Sequence, residues 1–134
     1  MSVQSKDITI ITDGNLTIIK GSPMSGKNTM LAGIALRTEK EDNLVILTET
    51  SLYDSGVLLK VADHYSEVLT GSIDRMVEVM SKIPANNIFI EQYDPINLAD
   101  FRQYEKDMLT LKDVAKILDK KIFIGVYKKL KGYL

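Results

Sequence analysis

A glycine-rich segment that ends in a lysine is the part of this sequence best suited to chemistry. Gly21 and Gly26 flank four residues and Lys27 follows, which gives the pattern G-x-x-x-x-G-K. Glycine allows backbone angles that turn successive N–H groups toward one point, where they form a cradle for phosphate oxygens. A lysine ammonium beside that cradle adds positive charge for the outer phosphates of a nucleotide. The candidate phosphate-binding residues are Gly21, Ser22, Pro23, Met24, Ser25, Gly26 and Lys27.

The residue after the lysine departs from the usual form of this pattern. Ser or Thr normally stands there and binds Mg²⁺ through its hydroxyl, whereas this sequence has Asn28, with Thr29 one position later. An asparagine carbonyl oxygen can also bind a hard cation, so Asn28 is a candidate metal ligand. Thr29 would lie about 100° further around a helix and is a poorer substitute. We include both residues among the candidate nucleotide-binding residues, and we expect nucleotide binding to survive the change more easily than metal-assisted hydrolysis.

Two glutamates follow apolar runs that are typical of buried strands. Glu49 comes after the run 44–47 and Thr48, and Glu91 comes directly after the run 88–90. In a parallel sheet the carboxyl ends of the strands meet at the edge where ligands bind. Glu49 is therefore a candidate general base for an attacking water, and Glu91 is a candidate magnesium ligand. The alternative for each is an acid that only marks where a strand leaves the sheet.

The elements that must position these residues alternate along the chain. Two β-branched runs around the pair Asp13-Gly14 predict an N-terminal hairpin over about residues 8–20. Helical spacing of apolar residues is found over 28–37, 57–62, 73–83 and 100–119, and runs that indicate strands are found over 44–47, 68–69, 88–90 and 122–126. Strands that alternate with helices predict an α/β fold, a three-layer sandwich with a mostly parallel sheet.

Length and composition limit the classes of protein that remain. A chain of 134 residues suits one domain, here residues 1–134, and 17 basic against 18 acidic side chains leave no overall attraction to nucleic acid or to an anionic membrane. The absence of cysteine excludes disulfides, thiolate zinc sites and a cysteine nucleophile. No apolar run reaches the roughly 20 residues of a membrane helix, and residues 1–7 have no signal-peptide core. We therefore expect a soluble, intracellular protein of the cytoplasm with no membrane contact.

Four segments in this order resemble the core of the RecA-like P-loop ATPases, in the style of RadA, KaiC and DnaB-type domains. The segments are 21–27, 47–51, 88–91 and 122–128. The resemblance implies a RecA-like P-loop NTPase core that binds ATP and Mg²⁺, with Lys27 on the phosphates, Glu49 as the catalytic base and Glu91 at the metal. It also implies that Tyr127 stands where a Gln or His usually senses the γ-phosphate.

The resemblance further implies partners and a process. Members of the family assemble as rings or filaments, so a homo-oligomer or a larger protein complex is expected, with a role in DNA recombination or replication. Basic residues after the γ-phosphate sensor often reach a neighbouring subunit's nucleotide, and the candidates here are Lys128, Lys129 and Lys131. A solvated charged tail is the alternative for these three lysines. The charge balance does not support nucleic-acid binding by the domain alone.

Three departures from the family pattern keep other functions open. Asn28, Glu91 and Tyr127 all bear on metal binding or on γ-phosphate sensing, so we expect slow or partner-dependent hydrolysis. The alternative is a non-catalytic interaction or regulatory module with the same fold. A small nucleotide kinase is the third choice, because the arginines are too few for an arginine-rich lid: Arg37, Arg75 and Arg102.

Overall fold

The structure is a computed structural model, and it describes residues 8–21, 26–48, 56–93 and 101–127. The strands in this part of the chain are β1 (Ile8–Asp13), β2 (Leu16–Gly21), β3 (Asn43–Leu47), β4 (His64–Glu67), β5 (Asn87–Tyr93) and β6 (Lys121–Tyr127). The helices are α1 (Lys27–Ala35), α2 (Gly56–Leu59), α3 (Ile73–Lys82) and α4 (Phe101–Leu118), with a 3₁₀ turn at Lys40–Asp42.

The strands form one mostly parallel sheet in the order β1-β2-β6-β5-β3-β4. β1 and β2 are the antiparallel pair, and they are joined by the predicted tight turn, in which Gly14 has a φ of 62°. The other neighbouring pairs are parallel. The α/β class and the mostly parallel sheet predicted from the alternation of elements are therefore confirmed.

Helices pack against both faces of the sheet, because alternate residues of each strand point to opposite faces. One face packs on α3 and α4 through strand residues Leu16, Ile18, Leu44, Ile46, Ile88, Ile90, Ile122, Ile124 and Val126. The other face packs on α1 and α2 through Ile19, Val45, Leu47 and Phe89. The central strands are thus buried on both sides, which explains why they appear in the sequence as continuous apolar runs rather than as alternating patterns.

The fourth strand differs from the prediction. A short strand was expected at 68–69, but the strand is His64–Glu67, and Val68 follows it. β4 lies at the edge of the sheet and its residues are half-buried or exposed, with Tyr65 64% exposed. A polar edge strand has no hydrophobic run by which the sequence could reveal it. Val68 is buried in the hydrophobic core, and its N–H donates to the Leu47 carbonyl oxygen at 2.8 Å, which continues the contact with β3 beyond the strand.

A network of side-chain amides closes the sheet at the amino ends of the parallel strands. The Asn43 Nδ2 donates to the carbonyl oxygens of Ala35 at 3.2 Å and Val61 at 2.8 Å. Its Oδ1 accepts from the Thr38 hydroxyl at 2.8 Å and from the Asn87 Nδ2 at 3.2 Å. One fully buried amide therefore joins the end of α1, the turn after α2 and two neighbouring strands.

The end of α3 is held at this same edge. The Lys120 ammonium, just before β6, donates to the carbonyl oxygens of Met80 at 2.7 Å and Ile83 at 2.8 Å. These carbonyls belong to the last turn of the helix, which has no further helical N–H groups to offer them. Burial lowers the pKa of Lys120, and the nearby Asp42 carboxylate partly opposes that effect.

Candidate functional site

The carboxyl ends of four neighbouring strands meet at one edge of the sheet, and the predicted site residues lie along this edge. β2, β6, β5 and β3 are consecutive and parallel. Gly21 at the end of β2 is in register with Tyr127 at the end of β6, and Val126 is in register with Tyr93 of β5. The glycine-lysine segment and Glu91 therefore share the edge at which parallel α/β sheets bind ligands.

The described part of the junction between β2 and α1 is a helix N-terminus preceded by a left-handed glycine. Gly26, the residue before the helix, has φ 97° and ψ 17°, a left-handed conformation that strains other residues. The first helical hydrogen bond runs from the Met30 N–H to the Gly26 carbonyl at 2.9 Å. Among the described residues no side chain caps this helix, and its first turn has no acidic residue. The positive end of the helix dipole therefore points to the sheet edge without a carboxylate of its own first turn to offset it.

Lys27 places its charge at the end of the preceding strand. The side chain is 8% exposed, and the ammonium donates to the Gly21 carbonyl oxygen at 3.2 Å. The Lys27 ammonium thus lies at the carboxyl end of β2. Burying an ammonium costs free energy, so a lysine in this position indicates a use for the charge. The intervening residues Ser22, Pro23, Met24 and Ser25 lie outside the described residues.

The two residues that follow the lysine differ in their surroundings. Asn28 is half-buried in the first turn of α1, and Thr29 is exposed. The expectation that Thr29 is the poorer metal ligand stays a prediction. Asn28 keeps its place as a candidate ligand at the same helix end.

The sequence indicated that Glu91 comes just after a strand. In the structure Glu91 lies within β5. β5 continues to Tyr93, and the Glu91 side chain is only 1% exposed. Strand alternation places Glu91 on the face of Phe89, which packs under α1 and α2. The alternative, in which this acid only marks a strand exit into solvent, is therefore excluded by its burial, and the role of Glu91 at a metal stays a prediction. A buried carboxylate lies on the same face of the sheet as α1.

A break in the strand register occurs at this glutamate. The pairing of β5 with β6 shifts between Ile90 and Tyr93. The Thr48 hydroxyl donates to the Gln92 carbonyl oxygen at 3.0 Å, and a Cβ on Gly125 would collide with the Glu91 carbonyl oxygen. Sequence reasoning missed both Thr48 and Gly125. An isolated glycine in the β-branched run 122–126 was the available signal, because such a glycine marks a bulge or a close backbone approach.

The opposite face of the same edge is packed rather than open. Tyr93 is 1% exposed, its hydroxyl donates to the Asp107 Oδ2, and its ring meets Tyr104 edge-on at 5.9 Å between centroids. The Lys20 ammonium lies 5.0 Å from the centroid of the Tyr104 ring. These contacts fix α4 against β2 and β5, the two strands that carry the candidate site.

Four further candidate residues lie in parts of the chain that the structure does not describe. Glu49, Lys128, Lys129 and Lys131 lie outside the described residues. The backbone of Tyr127 ends β6 beside Gly21, but its side chain is not described. The predicted base and the predicted γ-phosphate sensor therefore stay predictions.

The donor atoms at the edge fit magnesium better than a metal that needs a complete protein cage. Within residues 8–21, 26–48, 56–93 and 101–127 no group of three or more His, Cys, Asp or Glu side chains is placed to hold a metal ion. Mg²⁺ usually takes only one or two carboxylates from the protein, together with water and substrate phosphates. The Glu91 carboxylate and the Asn28 amide oxygen are ligands of that kind.

Comparison with the models of known protein families finds no match, and comparison with curated proteins finds no relative. In the part of the chain that the structure describes, no helix has both the length and the apolarity needed to cross a membrane.

Proposed function

We propose that this chain is a RecA-like P-loop core, a three-layer sandwich that binds ATP with Mg²⁺ at the carboxyl edge of its sheet. The observation that carries the proposal is the buried Lys27, whose ammonium lies on the Gly21 carbonyl between a parallel strand and a helix N-terminus. A lysine with only a structural role in this turn would have a lower free energy with its ammonium in water. Phosphate oxygens would compete for the ammonium, because a charged acceptor bonds it more strongly than a carbonyl does.

The electrostatics of the α1 end support a phosphate ligand. The helix dipole and the Lys27 charge point to the same place, and the first turn of α1 contains no carboxylate that would repel an anion. The left-handed Gly26 turns the backbone into the helix at this point. A chain of several phosphates would extend from this turn along the sheet edge toward β5.

Glu91 supports the metal part of the proposal. It lies on the face that α1 covers, and β6 alone stands between its strand and β2. Neighbouring strands are about 4.8 Å apart, so the two strands are separated by roughly 10 Å, a distance that a nucleotide's phosphates and hydrated metal would span. Magnesium would supply charge neutralisation at the β- and γ-phosphates. Glu91 and Asn28 would hold it on the protein side.

Hydrolysis is proposed to be slow or partner-dependent. Asn28 replaces the hydroxyl that usually binds the metal, and Tyr127 stands in place of the amide or imidazole that usually senses the γ-phosphate. Glu49 is the proposed base, two residues after the end of β3. Loss of a slow steady turnover in Glu49→Gln would support this role.

The test is calorimetric titration of ATP into the wild-type chain and into Lys27→Ala, with and without Mg²⁺. Removing a charged hydrogen-bond donor costs about 1.5–3 kcal/mol, so we expect affinity to fall by roughly 10–100-fold. Lys116→Ala is the matched control, because Lys116 is exposed on α4, a helix of the opposite face. Equal affinity of wild type and Lys27→Ala would contradict the proposal.

A non-catalytic regulatory module is the second candidate, and the same two departures at Asn28 and Tyr127 favour it. It shares nucleotide binding with the first candidate but not turnover. Phosphate release measured at saturating ATP and Mg²⁺ separates the two. Turnover that Glu49→Gln abolishes excludes the module, and binding with no turnover above the rate of Glu49→Gln supports it.

A further inference from the structure

The position of Glu91 is not set by the regular strand ladder. The last residues of β3 and β5 that pair in register are Ile46 and Ile90. On the other side, the β5–β6 register shifts between Ile90 and Tyr93. Glu91 and Gln92 therefore lie in a bulge, where the ladder hydrogen bonds that usually fix a strand residue are interrupted.

One neighbour of the bulge is Thr48, the residue after β3. Its side chain is 2% exposed, and its hydroxyl donates to the Gln92 carbonyl oxygen at 3.0 Å. This contact joins the ends of β3 and β5 beyond their last in-register pair. The hydroxyl supplies a hydrogen bond to a backbone carbonyl that the shifted register takes out of the ladder.

The other neighbour is Gly125 in β6. A Cβ there would collide with the Glu91 carbonyl oxygen and would lie 3.5 Å from a methyl group of Leu31 in α1. Glycine thus lets the bulge approach β6 closely on the face that α1 covers. The Gln92 carbonyl is therefore held by a hydrogen bond from the end of β3, whereas the Glu91 carbonyl occupies space that a side chain at position 125 would need.

We infer that Thr48 and Gly125 are positioning residues that hold the Glu91 carboxylate in the direction needed to bind Mg²⁺ of a bound nucleotide. The inference rests on the proposed function, because it assigns the metal of that same site. Mg²⁺ demands near-ideal octahedral geometry at about 2.0–2.1 Å, so a small rotation of the bulge would weaken the bond. The Thr48 hydrogen bond opposes such a rotation, and the absence of a side chain at Gly125 leaves the bulge the space that it occupies.

The test uses Thr48→Val, which keeps the shape of the side chain and removes the donor, and Thr48→Ser, which restores the hydroxyl. ATP is titrated into each protein with and without Mg²⁺, and the gain in affinity that Mg²⁺ gives is compared. Loss of a group that orients a metal ligand typically costs 10–100-fold in metal affinity, so we expect the gain to fall about tenfold or more in Thr48→Val. We expect the affinity without Mg²⁺ to be unchanged and Thr48→Ser to behave as wild type.

Thr38→Val is the matched control. Thr38 is also a partly buried threonine with side-chain hydrogen bonds, but it lies at the amino edge of the sheet. The Thr38→Val variant should have a lower thermal unfolding temperature but the same gain in ATP affinity from Mg²⁺ as wild type. If Thr48→Val does not fold, Thr48→Cys serves instead, since its thiol is a weak donor of similar size.

The outcomes separate this inference from the proposed function. A wild-type chain that does not bind ATP overturns both. ATP binding without any gain from Mg²⁺ overturns the positioning role together with the metal part of the proposed function. An equal gain in wild type and a folded Thr48→Val overturns the positioning role alone. An equal loss of affinity with and without Mg²⁺ in Thr48→Val also overturns it, because the hydroxyl would then act on the fold of the whole site.

Discussion

The two edges of the sheet bury polar side chains of different kinds. Among the described residues, the polar side chains buried at the amino edge are the amides of Asn43 and Asn87, which hydrogen-bond to each other. The carboxyl edge buries the Thr48 hydroxyl together with the ammonium of Lys27 and the carboxylate of Glu91, so that within the described residues charged side chains are buried at this edge and not at the other. Neutral amides with complete hydrogen bonds can close a sheet at little cost, whereas buried charges cost several kcal/mol each unless they are well paired.

Under the proposed function, the amino edge serves stability and the carboxyl edge serves ligand binding. A fold that needed only to seal its strand ends would use amides at both edges. Charges retained in buried positions are typical of functional sites, where stability is lost in exchange for activity. The comparison can be tested by measuring unfolding and ATP affinity for matched substitutions at both edges.

The largest effect on stability is expected from Asn43→Leu. The substitution removes four hydrogen bonds and leaves buried groups on Ala35, Val61 and Asn87 without this partner. We expect the free energy of unfolding to fall by about 3 kcal/mol, since each unsatisfied buried group costs about 1–3 kcal/mol. Urea denaturation measures the loss. ATP affinity below the unfolding transition should stay at the wild-type value, and a loss of affinity would mean that the two edges are coupled.

A smaller effect is expected from Lys120→Met at the same edge. The variant keeps the length of the side chain but removes the donor to the last carbonyls of α3. We expect a loss of about 1 kcal/mol in urea denaturation, because the desolvation that lowers the Lys120 pKa offsets part of the hydrogen-bond gain. Lys82→Met, on an exposed lysine of α3, should change stability by less than about 0.5 kcal/mol. Equal losses of stability in the two variants would contradict the role of Lys120 in capping α3.

The smallest effect on stability is expected from Lys27→Met at the carboxyl edge. The apolar replacement fills the same space and no longer buries a charge, so the free energy of unfolding should stay within about 0.5 kcal/mol of wild type. ATP affinity should fall as in Lys27→Ala. A loss of stability above about 1 kcal/mol would contradict the comparison, because Lys27 would then serve the fold as Asn43 does.

The central strands of the fold could be predicted from the sequence because both of their faces are buried. The continuous apolar runs 44–47, 88–90 and 122–126 predict central strands, and all three lie in the middle of the sheet with helices on both faces. The turn at Gly14 predicts the hairpin correctly. These signals are local, and the tertiary structure agrees with them.

The features of the fold and of the site that the sequence did not reveal depend on contacts between residues far apart in the sequence. β4 is polar and takes its place only by pairing with β3, so no run of residues revealed it. The end of the apolar run at Ile90 suggested that the strand ended there, but the bulge extends β5 and buries Glu91. The Thr48 contact joins residues 44 positions apart, a relation that hydrophobic periodicity does not contain.

The bulge at Glu91 also predicts which sequence changes should occur together in homologous chains. While the extra residue is present in β5, any side chain at position 125 collides with the Glu91 carbonyl. Deleting one residue between Ile90 and Tyr93 would restore the register and remove the reason for glycine at 125. In homologous chains, a residue larger than glycine at 125 should therefore occur only with a shortened β5, and such a chain would lack the device that orients the carboxylate.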